Sequence, residues 1–262
     1  MRNKNRRSRI VSGRHIFAVL IAVFALLGGY AAYNLITTEH NYSAARNEYT
    51  ELRRMYAPFS DTDDGGSRNP GGNTGAESDA HLGLEAMPDL TEINPDYIGW
   101  LRINGTDIDY PMVKGNNNSW YLNHTFSGER NPSGTIFMDT RSNKGFEGFA
   151  LLHGHNMRDG SMFAGLHDYL DDGFRNANSE VIVFTPGGDI LIYSIFSAEI
   201  TDVNDEAFLL PEKSTSAIPE FLRGFDFSPN ELENVIDILA LSTCTFGHRN
   251  ERLVVLAYRS RA

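Results

Sequence analysis

Cysteine is nearly absent from this chain: Cys244 is the single one among 262 residues, which excludes an intramolecular disulfide. Basic residues are also in the minority, 23 Lys and Arg against 34 Asp and Glu. Six of them, Arg2, Lys4, Arg6, Arg7, Arg9 and Arg14, crowd into the first fifteen positions, where no acidic residue occurs. With −11 overall and +6 on that segment, residues 16–262 carry −17. So acidic a body argues against nucleic acid as a partner, because neutralising phosphates needs clustered Lys and Arg. No metal-ligand spacing is present. The run from Asp61 begins like a calcium loop, but its twelfth position is Gly72 where a bidentate Glu would be required. Neither a metal nor a cofactor is expected, and no repeat period is visible.

What the sequence does have is a long uncharged run. Ile16 to Tyr33, "IFAVLIAVFALLGGYAAY", holds eighteen residues without charge and extends to Ile36 with Asn34 its one strongly polar member. That length suits a helix crossing a hydrocarbon core. The run is longer than the apolar region of a signal peptide, and "YNLITTEH" has no small-residue cleavage site. The expectation is a single-pass anchor over 16–36, with the basic tail 1–15 cytoplasmic and the remainder outside the cell membrane. Residues 38–57 space Tyr42, Ala45, Tyr49, Leu52 and Tyr56 three or four apart, which predicts an amphipathic helical stalk over about 37–59, closed by Pro58. Residues 60–81, "SDTDDGGSRNPGGNTGAESDAH", are too polar to bury a core and read as a flexible linker.

From Leu82 to Ala262 the composition is that of one folded domain. Eight short β-branched or aromatic segments stand between turn residues: "YIGWLRING", "IDYPMV", "GTIFMDT", "GFALLHG", "EVIVFTP", "DILIYSIFSAEI", "VIDILALSTC" and "RLVVLAY". That number predicts a mainly β fold, a closed or nearly closed barrel. Helices are predicted at 161–171 and within 214–235, where Ser228-Pro229 marks a helix start with proline in the first position.

Cys244 ends one predicted strand and Arg252 begins the next. If the two strands are antiparallel neighbours, their side chains come within reach of each other. A guanidinium stays protonated, so it cannot serve as a base, but it can stabilise a thiolate or an oxyanion. On spacing alone, a core cysteine beside a solvated turn charge is the favoured reading. A nucleophilic thiol also wants an imidazole for the proton steps. Among eight histidines, His15, His40 and His81 precede the domain, leaving His124, His153, His155, His167 and His248. His248 is near Cys244 in sequence but falls in a turn. His155 follows a hydrophobic strand in "LLHGHNMRDGSMF", a setting that commonly holds catalytic groups.

"LSTC" followed by "ERLVV", with "GHNMRDGSMF", "NPDYIGWLRINGTDIDYPMV", "WYLNHTFSG" and "GTIFMDTR" upstream in that order, resembles the class B sortases of Gram-positive bacteria over roughly Ile93 to Tyr258. The resemblance implies a sortase-type eight-stranded β-barrel with N-terminal helices and one helix in the long loop before the cysteine strand. It implies a membrane-anchored cysteine transpeptidase that cuts a C-terminal sorting signal of a secreted protein after threonine and forms a thioester. The acyl group then passes to an amine of a peptidoglycan precursor or a pilin. The expected motif is of the type Asn-Pro-x-Thr followed by Gly or Asn. By the same resemblance Cys244 is the nucleophile, His155 the acid/base and Arg252 the residue that orients substrate and stabilises the oxyanion. Ser242, Thr243 and Asn123 match groove positions.

Two positions depart from the family. His153 stands where class B sequences often have tyrosine, so it is either a groove residue or a rim histidine with one hydrogen bond. Thr245, after the cysteine, falls where the family varies and is a candidate for tuning substrate choice. Asp139 in "FMDTR" reads as an ion-pair partner of Arg141. Two other functions remain open at this level: a secreted cysteine endopeptidase that gives the acyl group to water, and a membrane-tethered binding domain with an inactive site. The order His155 before Cys244 is unlike that of papain-type enzymes.

Overall fold

The computed structural model describes residues 13–56, 89–208, 214–245 and 250–261. The linker expected over 60–81 and the turn histidine His248 lie outside the described residues. The chain divides into two compact units, Met1–Ser43 and Ala44–Ala262.

The first unit holds most of α1 (Gly13–Tyr56), whose large side chains from Phe17 to Ile36 are left uncovered by protein. This helix contains a segment long and apolar enough to cross a membrane. Two N-terminal helices were expected, and a single one is present among the described residues. No proline interrupts residues 13–56, and the pair Gly28-Gly29 costs helix stability without removing a backbone donor, so nothing forces a break between the apolar and amphipathic parts.

In the second unit all eight predicted segments are strands: β1 (Tyr97–Ile103), β2 (Asp109–Val113), β3 (Ile136–Met138), β4 (Gly148–His153), β5 (Glu180–Phe184), β6 (Ile190–Asp202), β7 (Val235–Cys244) and β8 (Glu251–Ser260). They close a barrel in the order β1-β2-β3-β4-β7-β8-β6-β5. Closure leaves no sheet edge exposed. Two neighbours are parallel, β2 with β3 and β4 with β7, and the other pairs are antiparallel. The β4–β7 pair matters most for the site, because parallel strands bring their C-terminal ends to the same rim.

β4 and β7 are apolar almost throughout because both faces are covered. The outer face meets the segment before β7, which adds Phe208, Ile218 and Leu222 to Phe149, Leu151, Ile238, Ala240, Val254 and Leu256 of the sheet. One helix was expected in that segment. Two short ones form instead, α3 (Ile218–Leu222) and α4 (Pro229–Asn234). The chain leaves the first helix after Leu222, with Gly224 in the turn that follows, and because a residue before proline avoids the helical region, Ser228 is extended and the helix restarts at Pro229. Ser228 caps the restart: its Oγ accepts from Glu231 N, and the Glu231 carboxylate accepts from Ser228 N at 2.8 Å. The helix expected at 161–171 is a 3-10 helix over Ala164–Leu170 followed by α2 (Asp172–Ala177), for which Asp171 is the N-cap.

The last turns of α1 belong to the barrel unit. Ala45, Tyr49 and Leu52 are buried there at 3%, 2% and 6% exposure. A large apolar side chain contributes roughly 1.5–3 kcal/mol on full burial, so a chain starting at Leu82 lacks several kcal/mol of core. Calorimetry of residues 82–262 against residues 38–262 is expected to show a clearly lower Tm for the shorter chain. Equal Tm values would mean that these helix residues stabilise nothing.

Candidate active site

The strand register sets the first part of the site. β7 and β8 pair antiparallel with Cys244 directly opposite Arg252, so the thiol and the guanidinium start from facing positions at the rim. Cys244 is exposed, as an attacking thiol must be. Arg252 is partly buried, and its Nη1 donates to Glu251 O at 2.8 Å. Thr245 Oγ1 donates to Glu251 Oε2 at 3.3 Å, tying the residue after the cysteine to the start of β8.

The second part comes from β4. His153 is the last residue of β4 and pairs in parallel register with Ser242, two residues before Cys244. Gly154 N donates to Ser242 O at 3.1 Å, carrying the alignment one residue past the strand. His155 and Asn156 then leave the barrel at the end where β7 finishes. Asn156 Nδ2 donates to the carbonyl of Cys244 at 3.0 Å, which joins the histidine loop to the backbone of Cys244 itself.

His155 Nε2 lies 2.7 Å from Leu122 O. A carbonyl only accepts, so Nε2 carries a proton, and in the neutral ring Nδ1 holds the free lone pair. Leu122 ends a single 3-10 turn, Trp120–Leu122, and Asn123 is its exposed C-cap. Leu122 meets His155 from the loop between β2 and β3, with Asn123 next to it in the chain. His124 is turned elsewhere, stacked on Trp120 with ring centroids 3.7 Å apart, and His167 Nδ1 lies 3.2 Å from Ala164 O.

Ser242 and Thr243 are buried beneath the rim, and neither hydroxyl has a hydrogen-bond partner among the described residues. His153 is partly exposed, with Nε2 3.2 Å from Asp139 Oδ2. Reading the sequence identified neither Asn156 nor the Leu122 carbonyl as part of the arrangement. Asn156 sits in the quoted "GHNM", but no spacing rule says that its amide reaches residue 244. Among the described residues there is no cluster of three or more His, Cys, Asp or Glu that could hold a metal ion.

A nucleophile candidate, a proton carrier with a defined tautomer and a fixed positive charge therefore gather at one rim. Residues 101–260 match the family model described as the sortase domain. Sortase B of Listeria monocytogenes is 32% identical over 163 residues, covering 62% of this chain and 59% of the relative, so the chain spans less than two thirds of that protein. The crystal structure of Clostridium perfringens sortase B is 31% identical with a TM-score of 0.56, over 66% of this chain and 98% of that one. This chain belongs to the sortase family, class B. A substrate complex of Staphylococcus aureus sortase B is similar at 29% identity and a TM-score of 0.57, covering 64% of this chain and 82% of that one. The family match begins at Leu101, so the buried turns of α1 lie outside it.

Within the sortase barrel, Asp139 is the most heavily bonded carboxylate near the site. Oδ1 accepts from Arg141 N at 3.0 Å and Nε at 2.8 Å, and Oδ2 from Arg141 Nη2 at 3.0 Å, Asn118 Nδ2 at 2.9 Å and His153. Burial would raise its pKa, but the hydrogen bonds from His153 and Arg141 outweigh that and hold it well below the ordinary 3.8. Lys114 Nζ spends its three donors on Asp139 O, Thr140 O and Ser142 O, at 3.0, 2.9 and 2.6 Å. A depressed carboxylate pKa stabilises the fold at every pH above the unfolded value, and the contribution is lost as pH falls through the folded value. Asp139→Asn is therefore expected to be less stable than wild type at neutral pH. The gap should narrow as pH falls below the ordinary carboxylate range, as read by urea unfolding at successive pH values. A gap that stays constant down to strongly acidic pH would refute it.

Proposed function

We propose that this sortase-family protein is a membrane-anchored cysteine transpeptidase acting on C-terminal sorting signals. The observation that carries the reading is the meeting of Cys244, the facing Arg252 and the His155 loop at one barrel rim, with Asn156 bonded to the Cys244 carbonyl. In the first step the Cys244 proton passes to Nδ1 of His155 and the sulfur attacks the carbonyl carbon of the threonine. Arg252 stabilises the oxyanion of the tetrahedral intermediate. On collapse the C–N bond breaks, the leaving amine takes the proton from His155, and a thioester remains on Cys244. An incoming amine of a peptidoglycan precursor or a pilin attacks the thioester, gives its proton to His155, and the thiol is regenerated.

Ser242, Thr243, Asn123, His153 and Thr245 border this rim and supply the groove for a signal of the Asn-Pro-x-Thr type. Ser242 and Thr243, being buried, act by shaping the wall beneath the thiol. The apolar part of α1 anchors the enzyme in the cell membrane, with the basic N-terminus cytoplasmic and the barrel outside. That the similar Staphylococcus aureus sortase B has been solved as a substrate complex supports a substrate for this chain.

The test incubates the full chain, in detergent micelles, with sorting-signal peptides with and without an amine acceptor, and follows products by mass spectrometry. Amide product that forms only with the acceptor is expected. Hydrolysis indifferent to the acceptor would identify an endopeptidase, and no covalent adduct under any condition would identify a binding domain.

A further inference from the structure

The turn that presents Leu122 O to His155 is held from behind by two residues of another part of the same loop. Thr135 N donates to Tyr121 O at 3.0 Å, and Thr135 Oγ1 donates to His124 O at 2.8 Å. The neighbouring Gly134, at φ +61, packs so tightly that a Cβ there would stand 2.4 Å from Tyr121 O. Residues 134 and 135 thus grip both sides of Leu122.

They are gripped in turn by α1. Tyr49 OH donates to Gly134 O at 2.6 Å and lies 3.1 Å from Thr135 Oγ1. Each hydroxyl has one proton, and Gly134 O and His124 O only accept. Thr135 therefore gives its proton to His124 O, and Tyr49 gives its own to Gly134 O, with Thr135 Oγ1 as the longer second acceptor. The Tyr49 ring is locked edge-on against Tyr110, with centroids 5.3 Å apart at 89°. The same stretch of helix reaches the loops on either side of the site. Glu48 Oε1 accepts from Ser127 N at 2.9 Å, and Arg46 Nη2 donates at 2.8 Å to Asp159, four residues after His155.

The geometry points to Tyr49 as a remote positioning residue: through Gly134 and Thr135 it sets the Leu122 carbonyl that fixes the His155 ring. Tyr49 touches no reacting atom and lies outside the residues that match the family model. This rests on the acid/base role given to His155 above. The physical reason that a remote hydroxyl can matter is that a small displacement of an acid/base group costs rate far more than it costs stability.

The test uses the full chain in detergent micelles with two variants. Tyr49→Phe keeps the ring and its packing and removes the hydroxyl; Thr135→Val keeps the shape and removes the bond to His124 O. Each is expected to lower kcat about tenfold with KM little changed, and the double variant is expected to lose no more than the worse single one. Alkylation of Cys244 by iodoacetamide across pH should show a displaced profile in both variants, because a mis-set imidazole changes how the thiolate forms. If Tyr49→Phe does not fold, Thr135→Val carries the test alone. Variants that lose Tm but keep the wild-type kcat and alkylation profile would show a purely structural role and overturn the proposal. The alkylation profile needs no turnover, so it decides the question even if the wild-type chain forms no acyl-enzyme.

Discussion

Cys244→Ala is expected to abolish the acyl-enzyme and with it nearly all peptide cleavage. Cys244 is the chain's sole thiol, and no other residue at the rim combines a soft nucleophile with a good leaving group. Removing the nucleophile of a covalent enzyme lowers kcat by on the order of 10⁴–10⁶-fold, leaving only what binding and charge stabilisation provide. Intact-mass spectrometry after incubation with a sorting-signal peptide reads the outcome directly: wild type gains the mass of the acyl fragment, and the variant stays at its own mass. Thermal unfolding should be little affected, because an exposed side chain fills no cavity. An adduct that still forms in the alanine variant would place the nucleophile elsewhere and remove the basis of the proposed mechanism.

The second large effect is expected at Arg252. It faces Cys244 in the β7–β8 register, which sets a permanently charged residue opposite the proposed nucleophile, and its Nη1 donates to Glu251 O. Loss of one oxyanion donor costs about 10²–10³-fold in kcat, and Arg252→Ala should fall in that range or below it. Arg252→Lys keeps the charge but replaces the planar fork by a point charge on a flexible stem. Recovery in the lysine variant is therefore expected to be minor. Steady-state kinetics of the two variants side by side decide the case: near-normal kcat in Arg252→Lys would reduce the role to bulk electrostatics, and near-normal kcat in Arg252→Ala would eliminate it.

The Cys244–Arg252 pair could be read from sequence because it is local. Two strongly β-forming runs joined by a short turn have few ways to pair, and the turn length sets which residues face each other. The relation of His155 to Cys244 could not be read that way. Asn156 and Cys244 are 88 residues apart, and the pairing of β4 with β7 that unites them is parallel and jumps over β5, β6 and the helical segment. Its strand-end setting made His155 a candidate and the ordered motifs shared with class B sortases singled it out, while local distance favoured His248.

His153 illustrates a different limit. Its place at a strand end was visible in "LLHGH", but whether it faces a groove or a partner depends on what lies across β3. There Asp139 supplies the partner, itself already held by Arg141 and Asn118. A buried carboxylate must be satisfied by hydrogen bonds, and its donors were scattered over residues 118, 141 and 153.

By itself the sequence determined the eight strands, the capped restart at Ser228-Pro229 and the apolar helix segment near the N-terminus. Each of these follows from propensities and periodicities that act within a few residues. The tertiary structure alone decided that β4 lies beside β7, that Leu122 O accepts a hydrogen bond from His155 Nε2, and that Tyr49 is buried in the barrel unit instead of facing solvent on a free stalk. These depend on barrel closure and on pairing buried polar groups, and both are satisfied by partners far away along the chain.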